Sequence, residues 1–488
     1  MNPKIALLPL DNRAITYSYT KTLAKLGAVE IFLPSREYLG DLNNSANIPE
    51  LFKWLEKFSP KADCLILCLD TILYGGLIDS RRHDFDFSQL MVKLNLLKSI
   101  TKNKLIYAQS SIMRISDNYD NTEEKDYWQD FGREIFTWSH LLYKASLNEN
   151  SDDEKLNELE SKIPQNIKED YLKTRLTNHM INEQLITEVK SGFINTLIYG
   201  IDDSYKPGLN TLETAILNNS INAQKLQNNI FIYPGCDEIA NLLLAKAVYE
   251  TMTDPKPGVT YQFSSNHGLD IIGKYDGGRR FSEILTEQLA VFKQPQKADN
   301  KVNIIIHSAK DKQADHIVLD KDKPDNCADT TETVQSTIDC LKKSDLPVVI
   351  CDLAYANGAD PKLIEKLFEN KDIFNKVIGY TAWNTAGNSI GSAIAQAILY
   401  LNGKIYLKDH ELRQRINENL FIRLVDDYAW QSKARQSKTG INLTIGHNDL
   451  YKVLETDINR ISELLDYRCP NLNLSLPWRR SFEIEVSC

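Results

Sequence analysis

Lys4-Ile5-Ala6-Leu7-Leu8-Pro9-Leu10-Asp11-Asn12-Arg13 carries the pattern on which the fold class turns. An apolar run the length of one strand passes abruptly into acidic, amide and guanidinium side chains, and a helical pattern follows. The same phrase recurs about ten times along the chain. The runs are 4–10, 29–33, 64–69, 104–108, 196–201, 230–233, 259–263, 302–307, 347–352 and 377–381, with helix candidates at 48–57, 238–251, 331–342 and 361–368 between them. Strands alternating with helices predict an α/β fold with parallel strands. A (β/α) barrel and two doubly wound domains both fit, and the barrel is preferred, although ten strands exceed the eight that it needs.

The rhythm breaks twice. Residues 117–195 are charged and helical in pattern, and read as a helical insertion in an α/β catalytic domain spanning 1–400. After residue 401 charged helical segments such as 410–430 predict a mainly helical C-terminal subdomain over 401–488. The stretch 311–331, rich in Asp and Lys, reads as an exposed loop.

Composition narrows the function. The 488 residues are 42% hydrophobic and 25% charged, as in ordinary globular proteins, and the net charge of -9 argues against nucleic acid as a partner. No stretch is long enough to cross a bilayer, and the N-terminal apolar run is too short for a signal peptide. Of the eight cysteines, most of the early ones fall in apolar runs, which suits reduced, buried thiols. A cytoplasmic location is the expectation. No Cys-x-x-Cys, His-x-His or His-Glu-x-x-His occurs, so zinc chemistry is disfavoured. Oligomeric state is not legible.

The candidate chemistry lies where strands end, because that edge binds ligands in either α/β architecture. Asp11 and Arg13 follow the first run, Asp70 and Arg81 the third, and Arg114 the fourth. Asp202-Asp203 and Asp237-Glu238 close the fifth and sixth. Asp352, Asn357 and Asp360 follow the ninth, and Trp383, Asn384 and Asn388 the tenth. An Asp at such a junction also caps helices, and Asp237 is the clearest case for that reading. Gly75-Gly76 reads as a tight turn, lacking the spacing of a phosphate loop. The glycines at 387 and 391 suit helix packing as well as anion binding. Arg13, Arg81 and Arg114 at one mouth would hold a carboxylate, phosphate or acidic sugar, or else neutralise the acids around them. Asp202 and Asp203, brought together by a strand-end bend, would have separated pKa values, one serving as acid and the other staying ionised.

In order, these strand-end phrases resemble a bacterial family known as domain of unknown function four-one-two-seven, over nearly the whole chain. The likeness rests on Pro9 to Arg13, on Asp70 with Tyr74-Gly75-Gly76-Leu77 and Ser80-Arg81, on Asp202-Asp203, on Gly235 with Asp237-Glu238, on Asn357-Gly358-Ala359-Asp360, and on Trp383 to Asn388. Ala14 and Ala382 depart from it where the family tends to have proline and glycine. A looser similarity, in Asp202-Asp203 and Trp383-Asn384, is to N-acetylhexosaminidases of the O-GlcNAcase type, and implies substrate-assisted glycoside hydrolysis.

The expected function is a glycosidase-like hydrolase of a sugar-containing small molecule or glycan. Asp202 and Asp203 are its catalytic pair; Asp11, Arg13, Asp70, Arg81, Arg114, Asp237, Glu238, Asp352, Asn357, Asp360, Trp383, Asn384 and Asn388 bind substrate, and no cofactor is called for. One alternative is a lyase, isomerase or phosphohydrolase using magnesium held by Asp11, Asp70 and Asp202. The other is a non-catalytic small-molecule binder.

Overall fold

All ten apolar runs form strands in the computed structural model, which describes residues 2–148, 152–204, 206–253, 256–295, 298–316, 327–435 and 446–488. In chain order the strands are β1 (Lys4–Leu8), β2 (Glu30–Phe32), β3 (Cys64–Cys68), β4 (Leu105–Ile112), β5 (Thr196–Ile201), β6 (Ile230–Pro234), β7 (Gly258–Phe263) and β8 (Lys301–His307). The short β9 (Ala314–Asp315) precedes β10 (Val348–Asp352), and β11 (Tyr355–Ala356) precedes β12 (Val377–Thr381). A hairpin of β13 (Asn473–Ser475) and β14 (Glu485–Ser487) lies near the C-terminus.

The preference for a barrel is corrected. The ten strands divide into a six-stranded parallel sheet, β2-β1-β3-β4-β5-β6, and a four-stranded parallel sheet, β12-β10-β8-β7. β6 does not pair with β7, so the first sheet stays open. The strands in excess of eight are thus accounted for by the second sheet. In the first sheet the strand order reverses between β1 and β3, the kind of switch point at which open α/β sheets bind ligands.

Period-two alternation explains the layers. Ile5 and Leu7 of β1 point into one apolar core, and Ala6 and Leu8 into another. The second core packs the outer face of the first sheet under the helices Ile48–Phe58, Phe87–Ile100 and Gln165–Lys190. The first core joins both sheets. Between them lie the helices Ile239–Thr251 and Ala386–Tyr406, which are apolar almost all round and buried from Ile239 to Tyr249 and from Ala386 to Gly403. Helix starts follow local chemistry: the Asn47 side chain accepts from the Glu50 N–H, with Pro49 in the first turn, and Thr385 accepts from the Asn388 N–H.

The interval between β4 and β5 holds the helices Trp128–Ser146, Asp153–Lys162 and Gln165–Lys190 and no strand among the described residues. Trp128, Ile135, Trp138 and Tyr171 form a local apolar cluster there with Met113 and Ile115. In the C-terminal part, the helix Asp409–Arg423 continues into a π-helix, Leu424–Ala434. Of the 311–331 stretch, residues 317–326 lie outside the described ones. Among the described residues no helix is long and apolar enough to cross a membrane. Cys64, Cys68, Cys236 and Cys351 are buried free thiols. The reading of reduced thiols does not extend to Cys469 and Cys488, which are paired as a disulfide beside the C-terminal hairpin.

Candidate functional site

Asp11 begins the site because its carboxylate folds the chain back on itself just past β1. Its Oδ1 accepts from the Arg13 N–H at 3.0 Å and from Thr16 Oγ1 at 2.7 Å, a local turn that brings the Arg13 side chain alongside. Arg13 Nε then donates to Asp11 Oδ2 at 2.8 Å, and its two terminal nitrogens grip Asp237, which follows β6. One guanidinium therefore clamps two carboxylates from different strand ends. Asp237 is not a helix cap: its carboxylate takes Arg13 and, at 3.5 Å, Asn384 Nδ2, while the helix behind it, Ile239–Thr251, has Glu238 at its N-cap position and no side-chain cap. Burial raises the Asp237 pKa, and Arg13 opposes that shift.

A second clamp is built at β5. Asp202 Oδ1 accepts from the Asp203 N–H at 2.9 Å, which bends the chain so that both carboxyls face one cavity. Arg81, on the helical turn Asp79–Arg82, donates to Asp202 Oδ2 from Nε at 3.1 Å and from a terminal nitrogen at 2.6 Å. Asp202 is thereby ion-paired and buried. Asp203 is half-buried, and its carboxylate takes no hydrogen bond from any described residue. Burial and the adjacent Asp202 charge push it up to about 7, with Arg114 opposing.

The cavity encloses about 130 Å³. Of the sequence-predicted residues, Asp11, Arg13, Arg81, Arg114, Asp202, Asp203, Asp237, Asn384 and Asn388 line it. They come from the ends of β1, β4, β5, β6 and β12 and from the turn after β3. Asn388 Oδ1 is buried without a hydrogen-bond partner, and Asn384 is held in the left-handed conformation at φ 60° by a bond from the Asn357 N–H to its carbonyl at 2.8 Å.

Other expected residues stand off the cavity wall. Asp70 is buried behind it, with Ser111 donating to Oδ1 at 2.6 Å and Oδ2 unpartnered; burial raises it to about 6. Glu238 is buried against Gln288 at 3.3 Å, with burial raising its pKa well above the usual range. Trp383 is buried and meets the ring of Phe482 edge-on at 6.2 Å, so it offers no open platform. Asp352 and Asp360 belong to a separate buried knot at the second sheet. There Tyr380 donates to Asp352 Oδ2 at 2.7 Å, His307 Nε2 meets Asp360 Oδ2 at 3.1 Å, and Asp360 caps the helix Pro361–Glu369. Their polar groups are satisfied by the protein itself, which is why they do not serve the cavity. Asn357 is off the cavity wall, donating from its N–H to the Asn384 carbonyl and from Nδ2 to Asp315 Oδ1 at 2.9 Å.

Several wall residues escaped sequence reasoning. Glu123 belongs to the insertion, while Trp478, Arg480 and Phe482 lie after residue 401, between β13 and β14 and far from the ten apolar runs. The aromatic and basic run Trp478-Arg479-Arg480 was a visible signal. Trp478 Nε1 donates to Asn12 Oδ1 at 2.6 Å, and the guanidiniums of Arg13 and Arg480 lie 5.1 and 4.5 Å from its ring centre. Asp276 is a further omission. It accepts from the N–H groups of Gly387 at 2.9 Å and Ala386 at 3.3 Å, capping the helix behind the site, and burial raises it to about 6. Gly387 is needed there because a Cβ would lie 2.3 Å from the Pro234 carbonyl. Gly75 and Gly76, at φ 115° and 148°, form the expected tight turn.

The magnesium trio is not assembled. Asp11 and Asp202 each already hold a guanidinium, and among the described residues no three His, Cys, Asp or Glu side chains are grouped to hold a metal ion.

A family model described as protein of unknown function (DUF4127) matches residues 5–487. The chain belongs to the DUF4127 family. No curated protein and no solved structure matches it. Membership of the DUF4127 family brings no activity with it, so any function has to be argued from the cavity itself.

Proposed function

We propose that the protein is a hydrolase that acts on a compact, polar, sugar-containing molecule, with Asp203 as its general acid and base. The observation that carries this reading is the unlike state of two adjacent carboxyls: Asp202 locked to Arg81, and Asp203 without a hydrogen bond from any described residue and pushed up to about 7 by burial and the Asp202 charge. A carboxyl poised near neutral pH can give a proton to a leaving oxygen and take one back from attacking water. In that scheme the Asp203 proton passes to the glycosidic oxygen as its bond to carbon breaks. Water then supplies hydroxyl to the sugar carbon and returns its proton to Asp203.

The other wall groups have supporting roles. Arg81 fixes the Asp202 carboxylate beside Asp203, whose pKa it raises. Asn384 and Asn388 present amides able to bind hydroxyls, and the small volume suits one sugar unit rather than a polymer stretch.

The test is a turnover screen over small glycosides and phosphoesters between pH 5 and 8, with wild type and Asp203→Asn in parallel. A glycoside should be hydrolysed in the presence of chelator, and Asp203→Asn should lower kcat by about 100-fold or more while its circular dichroism is unchanged. Equal turnover by the variant would remove Asp203 from the role of acid. Binding without turnover would favour a non-catalytic binder, and restoration of chelated activity by magnesium would favour a metal-assisted enzyme.

A further inference from the structure

Glu123 occupies an unusual position among the charges of the cavity. Arg81, Arg114 and Arg480 each have a carboxylate partner of their own. Arg81 has Asp202, Arg114 Nε has Glu124 at 2.7 Å, and Arg480 has Glu483 at 3.3 Å; all three acids are almost wholly buried. The three arginines then share one more carboxylate, that of Glu123, at 3.0 Å from Arg81, 3.0 Å from Arg114, and in contact with Arg480. Burial alone would raise its pKa, yet Arg114, Arg81 and Arg480 together hold it well below the usual carboxylate range.

The Glu123 side chain is 22% exposed, whereas Arg81 is 2% exposed. It also sits on irregular chain between β4 and the helix Trp128–Ser146, not on a strand end. Removing it would leave each guanidinium with its own partner and one open donor face. Replacing it with another oxyanion would leave no buried charge unpaired at any stage, so the exchange avoids the large cost of breaking a buried ion pair.

We infer that Glu123 is a resident stand-in for an oxyanion of the substrate, a carboxylate or a phosphate, which displaces it from the cradle of Arg81, Arg114 and Arg480. This deepens the proposed function and rests on its choice of cavity: the substrate is an acidic or phosphorylated sugar derivative rather than a neutral one. Three convergent guanidiniums match the geometry of both oxyanions.

Calorimetric titration of the full chain with inorganic phosphate, and separately with malonate, tests this at low ionic strength. Glu123→Gln should bind at least one of the two about tenfold more tightly than wild type, because its cradle is no longer occupied by a charged competitor. Arg480→Gln placed on top of it should cancel the gain. The anion that gains more identifies the class. Equal affinity of wild type and Glu123→Gln for both anions, or no binding by either protein, would overturn the inference. Should Glu123→Gln fail to fold, hydrogen exchange on wild type decides: saturating phosphate or malonate should speed amide exchange in residues 117–126, and unchanged exchange there with both anions would overturn it. No turnover enters these readouts, so an active Asp203→Asn would sink the acid assignment alone, and unchanged anion binding this inference alone.

Discussion

Asp202 and Asp203 differ by one position and by almost everything else that determines a carboxyl's behaviour. Asp202 has a guanidinium on one oxygen and a backbone N–H on the other, while Asp203 has neither and feels its neighbour's charge. The Arg81–Asp202 pair is buried, and its value depends on both members being present. Arg81→Met should therefore destabilise the fold by about 3–5 kcal/mol in urea unfolding, since it strands a buried carboxylate. Adding Asp202→Asn should recover part of that loss. A double variant no more stable than Arg81→Met would show that the pair is not the cause. Sequence made the Asp-Asp pair visible, and a strand-end bend was the expected way to aim both carboxyls. Which of the two would be neutralised was not readable, because the decision lies with Arg81, some 120 residues away in the chain.

At the scale of elements, the strands were legible because each is a compact apolar run closed by polar residues, and period-two burial confirms their faces. The short strands β9, β11, β13 and β14 were not, having two or three residues each and no apolar run. The division into two sheets was also hidden, since strand order depends on which edges pair and not on any one strand's composition. Site residues were found where they follow strands and missed where they lie on other elements: Glu123 on the insertion, and Trp478, Arg480 and Phe482 near the C-terminal hairpin. Asp352 and Asp360 mark the opposite error, a strand end whose polar groups are used internally. The helix Ala386–Tyr406 links these levels, because it fills the space between the sheets and starts at the cavity. Gly387→Ala should destabilise the protein by about 1–3 kcal/mol through overpacking against β6. That outweighs alanine's helix preference of about 1 kcal/mol. Unfolding in urea measures it, and a stabilised variant would show that the helix and β6 are less closely packed than described.

Over the whole molecule, buried carboxyls tie stability to pH. Asp70 and Asp276, raised to about 6, and Asp203, raised to about 7, retain protons when folded that they lose when unfolded near their ordinary pKa of about 3.9. The folded state thus binds more protons between about pH 4 and 7, so stability falls as pH rises through that window. Glu123 has the opposite sign: its depressed pKa gives stability above the ordinary carboxylate range that is lost as pH falls. The melting temperature should accordingly be higher at pH 5 than at pH 8, and a rise towards pH 8 would contradict the buried carboxyl assignments. Both sheets, the insertion and the C-terminal segment converge on one cavity, and the state of Asp203 records that convergence. Carboxyl carbon-13 resonances of aspartate-labelled protein, with Asp203→Asn supplying the assignment, measure it directly. The resonance missing from the variant should titrate in wild type at about pH 7; a midpoint at the ordinary aspartate value of about 3.9 would contradict the account.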